Sequence, residues 1–161
     1  MITRNSPILF TEGGKSQSIK GWTPIAYGFR AFELADRESG YMRFHGTFLP
    51  ALSILRREFG HPLQVNSCCR TPSHNANEGG HPRSLHLTSN PVHPTDGAMA
   101  IDFKVSGWDG SVLQDLIDTA WDLGWSIGHG YMEDNEKVVD GGFLHLDRRV
   151  DIGLPLHEFY Y

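Results

Sequence analysis

From Phe48 to Phe59 the apolar residues Phe48, Leu49, Leu52, Leu55 and Phe59 recur at steps of three and four, which predicts an amphipathic helix stopped by Gly60. Leu113, Leu116, Ile117, Ala120 and Leu123 repeat that period and predict a second helix, opened at Asp109 or Ser111 and ended by Gly124. Alternating or short apolar runs at 63–67, 98–105, 125–128 and 143–148 read as strands, with a polar excursion at 133–142. Residues 1–28 are rich in Gly, Ser, Thr and Lys and read as an irregular arm with a short strand near 8–10. The block 71–95 carries Pro72, Gly79, Gly80, Pro82, Pro91 and Pro94, and so long a loop in a compact domain is usually functional. Two helices against a mostly antiparallel sheet predict an α+β fold, with 1–161 as a single domain.

Composition narrows the function classes. The chain has 161 residues, 39% of them hydrophobic and 20% charged, enough to bury one core. A net charge of -5 argues against a nucleic-acid binder, which would show a basic face. No apolar run is long enough to span a bilayer, and the first residues lack the apolar core of a secretory signal. The two cysteines, Cys68 and Cys69, are adjacent and read as free thiols in a strand, because neighbours on alternating faces do not readily share one ion.

The candidate chemistry lies in three short runs. Ser84-Leu85-His86, then Ala98 to Asp102, then Phe143 to Asp147 offer two imidazoles and a carboxylate in the order His86, Asp102, His145. Three such ligands leave the fourth position of a tetrahedral zinc ion open for water, the arrangement of a catalytic site. Asp102 sits between Ile101 and Phe103, where a carboxylate is costly to bury unless a partner such as a metal offsets the cost. His145 and Asp147 point to one face of their strand. Asp147 can then take a proton from water or orient an imidazole, and it is the expected general base, with Glu133 and Asp140 as alternatives. His81 and His93 are rival ligands to His86. Arg70, between a strand and a loop, is placed to grip a carboxylate or stabilise an oxyanion, a structural salt bridge being the alternative. Tyr131 is either a substrate contact or a core residue.

These runs resemble the zinc D-alanyl-D-alanine carboxypeptidases of the Hedgehog/D-Ala-D-Ala-peptidase fold. The resemblance rests on Ser67 to Asn75 with Gly79-Gly80, on Ser84, His86, Ala98, Ala100 and Asp102, and on His145-Leu146-Asp147. The chain departs from that pattern in having Cys68-Cys69 before Arg70, Gly142 where relatives carry an acid, and an excursion at 87–97 that widens the gap between His86 and Asp102. That excursion is expected to form one wall of the substrate cleft. The resemblance implies bound Zn2+, a bacterial peptidoglycan peptide as substrate, a carboxypeptidase or endopeptidase reaction next to D-amino acids, and catalytic roles for Arg70 and Asp147. It fits a monomeric enzyme made without a signal peptide and acting on the cell wall, such as a phage endolysin; a bacterial wall-remodelling enzyme is the alternative origin. The rival class is a non-catalytic zinc-fold module that binds wall peptide or a protein, as the acid missing at Gly142 would suit.

Overall fold

The computed structural model describes residues 1–90 and 97–161. Along them run β1 (Pro7–Glu12), β2 (Lys15–Lys20), β3 (Pro24–Ala26), β4 (Phe29–Arg30), α1 (Ala31–Leu34), β5 (Tyr41–Arg43), α2 (Phe48–Phe59), β6 (Val65–Ser67) and α3 (Pro72–Asn77). Then follow β7 (Ala100–Lys104), α4 (Gly110–Asp122), β8 (Ser126–Gly130), β9 (Glu133–Asp134), β10 (Lys137–Val138), β11 (Phe143–Asp147), a 3-10 turn at Arg149–Ile152 and β12 (Glu158–Tyr160). The architecture is α+β. Its main sheet has the order β12-β8-β11-β7-β6, antiparallel throughout except for the β12–β8 pair.

Both long helices form where the apolar period places them. Helix α2 buries Phe48, Leu52, Leu55 and Phe59 and is capped at Gly60, while α4 starts after Asp109 and buries Leu113, Leu116, Ile117 and Ala120. Aromatic contacts join α2 to the residue before β8 and β4 to the main sheet. Phe48 stands edge-on to Trp125 at 5.8 Å, and Phe103 of β7 stacks on Phe29 at 6.1 Å. On the sheet side, Leu144 and Leu146 of β11 are fully buried, so His145 and Asp147 project from the other face.

Residues 1–28 correct the expectation of an irregular arm. Strands β1 and β2 form an antiparallel hairpin, and β1 continues the small sheet by pairing parallel to β5. Ile8 and Phe10 point into the hydrophobic core. The polar composition hid this, because β2 turns almost all its side chains to solvent and shows no alternation. A second correction concerns the cysteines. Both are buried free thiols, but they lie past the end of β6, where Cys69 N–H donates to the Leu34 carbonyl instead of to the sheet. Within the loop-rich block, Thr71 caps the short helix α3 by accepting the His74 N–H at 3.2 Å, with Pro72 in its first turn.

The entry to β7 depends on a glycine. Gly97 has φ +155°, and a Cβ there would collide with the Phe44 backbone. The approach is that close because Ala98 N–H donates to the Arg43 carbonyl at 2.9 Å and His45 N–H to the Ala98 carbonyl at 3.0 Å. Gly97→Ala is therefore expected to cost about 1–3 kcal/mol, the usual range for overpacking. That is a fall of several degrees in Tm, about 2–4 °C per kcal/mol at this size. An unchanged melting curve would show that the two segments part without cost.

Candidate metal centre

Strand pairing assembles two of the three candidate ligands. In the β7–β11 ladder His145 lies directly opposite Asp102. The third arrives through the segment carrying His86, which is fastened to both flanks. Arg70 N–H donates to the His86 carbonyl at 2.9 Å, Thr88 N–H to the Arg70 carbonyl at 3.0 Å, and Met99 N–H to the Leu85 carbonyl at 2.8 Å. His86, Asp102 and His145 are all buried, and their ligating atoms lie within 4.8 Å of one another.

The imidazoles are oriented by groups that can only accept. His86 Nδ1–H donates to the Cys68 carbonyl at 2.7 Å, which turns the Nε2 lone pair toward the cluster. His145 Nε2–H donates to Asp147 Oδ2 at 2.9 Å, which turns Nδ1 the same way. Three electron-rich atoms then converge: His86 Nε2 is 3.3 Å from His145 Nδ1 and 3.2 Å from Asp102 Oδ1, and the latter two are 2.8 Å apart. Two ligands each about 2.0–2.1 Å from a tetrahedral ion stand about 3.3 Å apart, so these residues fit a metal of zinc's size. The site also favours positive charge. Burial pushes the His145 pKa down, but the hydrogen bonds to Asp102 and Asp147 outweigh it and raise the value to about 9. Burial likewise opposes ionisation of Asp102, yet His86 and His145 hold it well below the usual carboxylate range.

Asp147, the general base expected from the sequence, sits in a dense set of hydrogen bonds. Its carboxylate is fully buried, and both oxygens are occupied. Oδ1 accepts from Arg149 Nε at 2.8 Å and from the Arg149 backbone N–H at 3.1 Å, and Oδ2 accepts from His145 and from Arg149 at 2.6 Å. Burial, acting upward, is outweighed by Arg149 and His145, which leave its pKa at about 2. An acid so held is placed to orient the His145 ring. The two alternatives do not face the cluster. Glu133 lies against Gly110 at the start of α4, and Asp140 lines a neighbouring pocket.

An open cleft of about 520 Å³ leads to the cluster. Arg70 lines it, held by hydrogen bonds from its guanidinium to Asn75 Oδ1 at 3.2 Å and Ser67 Oγ at 3.3 Å. Sequence reasoning missed several of its walls: Arg83, Arg149, Phe159 and Tyr161. Phe159 reaches the cluster because Gly128, its partner in the β8–β12 pair, also lies opposite His145, and a Cβ on Gly128 would meet the Phe159 ring at 2.7 Å. Only the aromatic run at 159–161 hints at this. His81 lines the same cleft and does not join the cluster, His74 bonds Asp36 elsewhere, and Tyr131 lies in the neighbouring pocket. The rival ligand His93 and the middle of the 87–97 excursion lie outside the described residues; Asn90, just before them, folds back onto the Arg83 and Ser84 carbonyls. A larger cavity of about 830 Å³ opens between the β1–β2 turn and the start of α2, but among the described residues it gathers no comparable ligand set.

A buried His-Asp-His cluster at the base of an open, arginine-lined cleft could hold a metal ion, as a metallopeptidase requires. The family model of Peptidase M15 matches residues 31–138, and the chain belongs to that family. Comparisons with curated proteins and with solved structures give no match. The matched segment includes Arg70, His86 and Asp102 and stops before β11, so His145 joins them through sheet pairing. Among the described residues no helix is long and apolar enough to cross a membrane.

Proposed function

We propose that this metallopeptidase uses zinc, held by His86, Asp102 and His145, to hydrolyse peptide bonds next to D-amino acids in bacterial peptidoglycan stem peptides. The observation that carries the reading is the convergence of three lone pairs, each aimed by a hydrogen bond on the far side of its ring or by strand register. Zinc in such a site lowers the pKa of water to about 7 and polarises a carbonyl. The protein's own groups supply the rest. Asp147 keeps the His145 lone pair pointed inward. Arg70, braced by Asn75 and Ser67, receives a substrate carboxylate or the developing oxyanion. His81 accepts the Arg83 N–H on Nδ1 at 3.0 Å and has Nε2 to exchange a proton with substrate in the cleft. Arg149 is paired with Asp147, but Arg70 and Arg83 put positive charge on the cleft wall in a chain of net charge -5, which suits a substrate carboxylate such as a wall stem carries.

The test is incubation of purified protein with muropeptides, with products identified by mass spectrometry. Cleavage next to a D-residue is expected, lost on chelation and restored by zinc. In the same assay His81→Ala is expected to lower kcat about 100-fold with zinc content unchanged. Cleavage that persists without metal, or that is confined to all-L peptides, would overturn the reading.

A further inference from the structure

We propose that the β3–β4 hairpin and the last turns of α2 form a second binding surface, which takes a flexible polyol-phosphate polymer of the bacterial wall. The choice of a wall polymer rests on the stem-peptide reading above; the affinity for phosphate does not.

Charge is spread unevenly along the chain. Residues 1–60 carry eight Lys and Arg against five Asp and Glu, whereas 61–161 carry six against fourteen. Three of the early cations, Arg30, Arg56 and Arg57, are gathered by one hairpin. Its tip lies on α2, where Tyr27 N–H donates to Ser53 Oγ at 3.0 Å and a Cβ on Gly28 would meet the Arg56 side chain at 3.0 Å. The Arg57 guanidinium lies over the Tyr27 ring, 4.7 Å from its centroid. At the base of the hairpin Arg30 Nη1 donates to the Trp22 carbonyl at 2.7 Å. Each cation is thus placed by a neutral neighbour, and among the described residues none of the three forms an ion pair. Glu33, one turn from Arg30, instead accepts the Arg30 backbone N–H at 2.8 Å. Guanidinium groups held this way keep most of their five N–H donors for a ligand, and their fork matches two phosphate oxygens.

The aromatic residues narrow the partner. Trp22 and Tyr27 are 48% and 52% exposed, large rings that the core does not cover. Arg57 occupies one face of Tyr27, and Trp22 has no ring contact among the described residues. A single-stranded nucleic acid is held by successive bases stacked on successive rings, and this surface offers one ring in that state. A duplex is stiff and carries one charge per about 1.7 Å, so it would run past three arginines in a chain whose other charges are mostly negative. A thin, flexible chain of phosphates joined by polyol units asks for less. Its phosphates meet the arginines, its CH groups lie on Trp22, and its flexibility lets it stop at the edge of the patch.

The test is the binding of fluorescently labelled poly(glycerol phosphate) to the whole zinc-loaded protein, read by anisotropy at several salt concentrations. Three phosphate contacts predict a slope of about -2 in log K against log salt, so raising salt from about 50 to 200 mM should weaken binding about 20-fold. In the double variant Arg56→Gln, Arg57→Gln the slope is expected to fall to about -0.7, one contact's worth. Trp22→Ala should weaken binding and leave the slope as it is. Muropeptide turnover should not change in the arginine variant, because neither residue lines the metal cleft. No binding by the wild type, a salt slope unchanged in the arginine variant, or tighter binding of an oligothymidylate of equal charge would overturn the surface. Polymer binding with the expected slopes, and no muropeptide cut, would leave the surface standing and overturn the stem-peptidase reading instead.

Discussion

Asp147→Asn is expected to weaken metal retention by about 10–100-fold, the usual loss when the partner of a ligating histidine is removed. The wild-type carboxylate accepts from His145 Nε2 and from Arg149 at once. An amide reproduces at most one acceptor and adds donors that face the Arg149 guanidinium, so the ring loses its fixed tautomer. His145→Ala is expected to act more strongly, leaving two ligands and no measurable activity at ordinary zinc concentrations. Both are read by competition with a chromophoric chelator, alongside turnover at saturating zinc. If Asp147→Asn keeps wild-type affinity but turns over about 100-fold more slowly, the carboxylate takes part in proton transfer after all.

The second large effect is expected at Asp36, outside the cleft. Its buried carboxylate accepts from Glu38 and Ser39 N–H, from the Ser39 hydroxyl, from Thr71 N–H at 2.8 Å and from the His74 ring at 2.8 Å. Thr71 follows Arg70, and α3 carries the Asn75 that braces it, so Asp36 ties the arginine of the cleft to the α1–β5 connection. Asp36→Ala is expected to cost about 3 kcal/mol, the low end for breaking a buried, hydrogen-bonded charge. It should also raise KM more than it lowers kcat. The pH dependence has a definite sign. Burial acts upward on the Asp36 pKa, but the hydrogen bonds from Thr71, Ser39 and His74 outweigh it and leave the value below 3.8. Its stabilisation is therefore fully present above the ordinary carboxylate pKa and is lost as pH falls through the lowered one. Urea unfolding at pH 7 should separate wild type and variant, and the gap should shrink below about pH 4, where an unfolded aspartate takes up its proton. A gap that does not narrow would assign the loss to packing.

Much of the site was legible because its residues come in short local runs. His86, Asp102, His145 and Arg70 were named from such runs, and the structure brings all four to one cleft. Asp147 shares a face with His145, as its place two residues away predicts, and its hydrogen bonds to His145 and Arg149 suit a group that orients the ring. Period-two spacing says which face a carboxylate shares; it does not say that Arg149 closes over it. The hairpin of β1 and β2 escaped notice because a solvent-facing strand leaves no apolar alternation. Phe159 and Tyr161 escaped notice because a cleft wall needs no motif.

By itself the sequence determined the elements whose signals are local: the two amphipathic helices, the strand runs and the order of the ligand-bearing segments. Helical period and glycine stops act within a dozen residues, so no distant contact is needed to read them. The tertiary structure decided what depends on neighbours remote in the chain. Antiparallel register sets His145 against Asp102 across forty-three positions, and the Cys68 carbonyl aims the His86 ring from eighteen positions away. Desolvation and hydrogen bonding then settle which carboxylates keep a free lone pair. Those depend on where the folded chain places each donor, and so the sequence could name the residues that converge in the cleft while the surroundings of Asp147 came only from the fold.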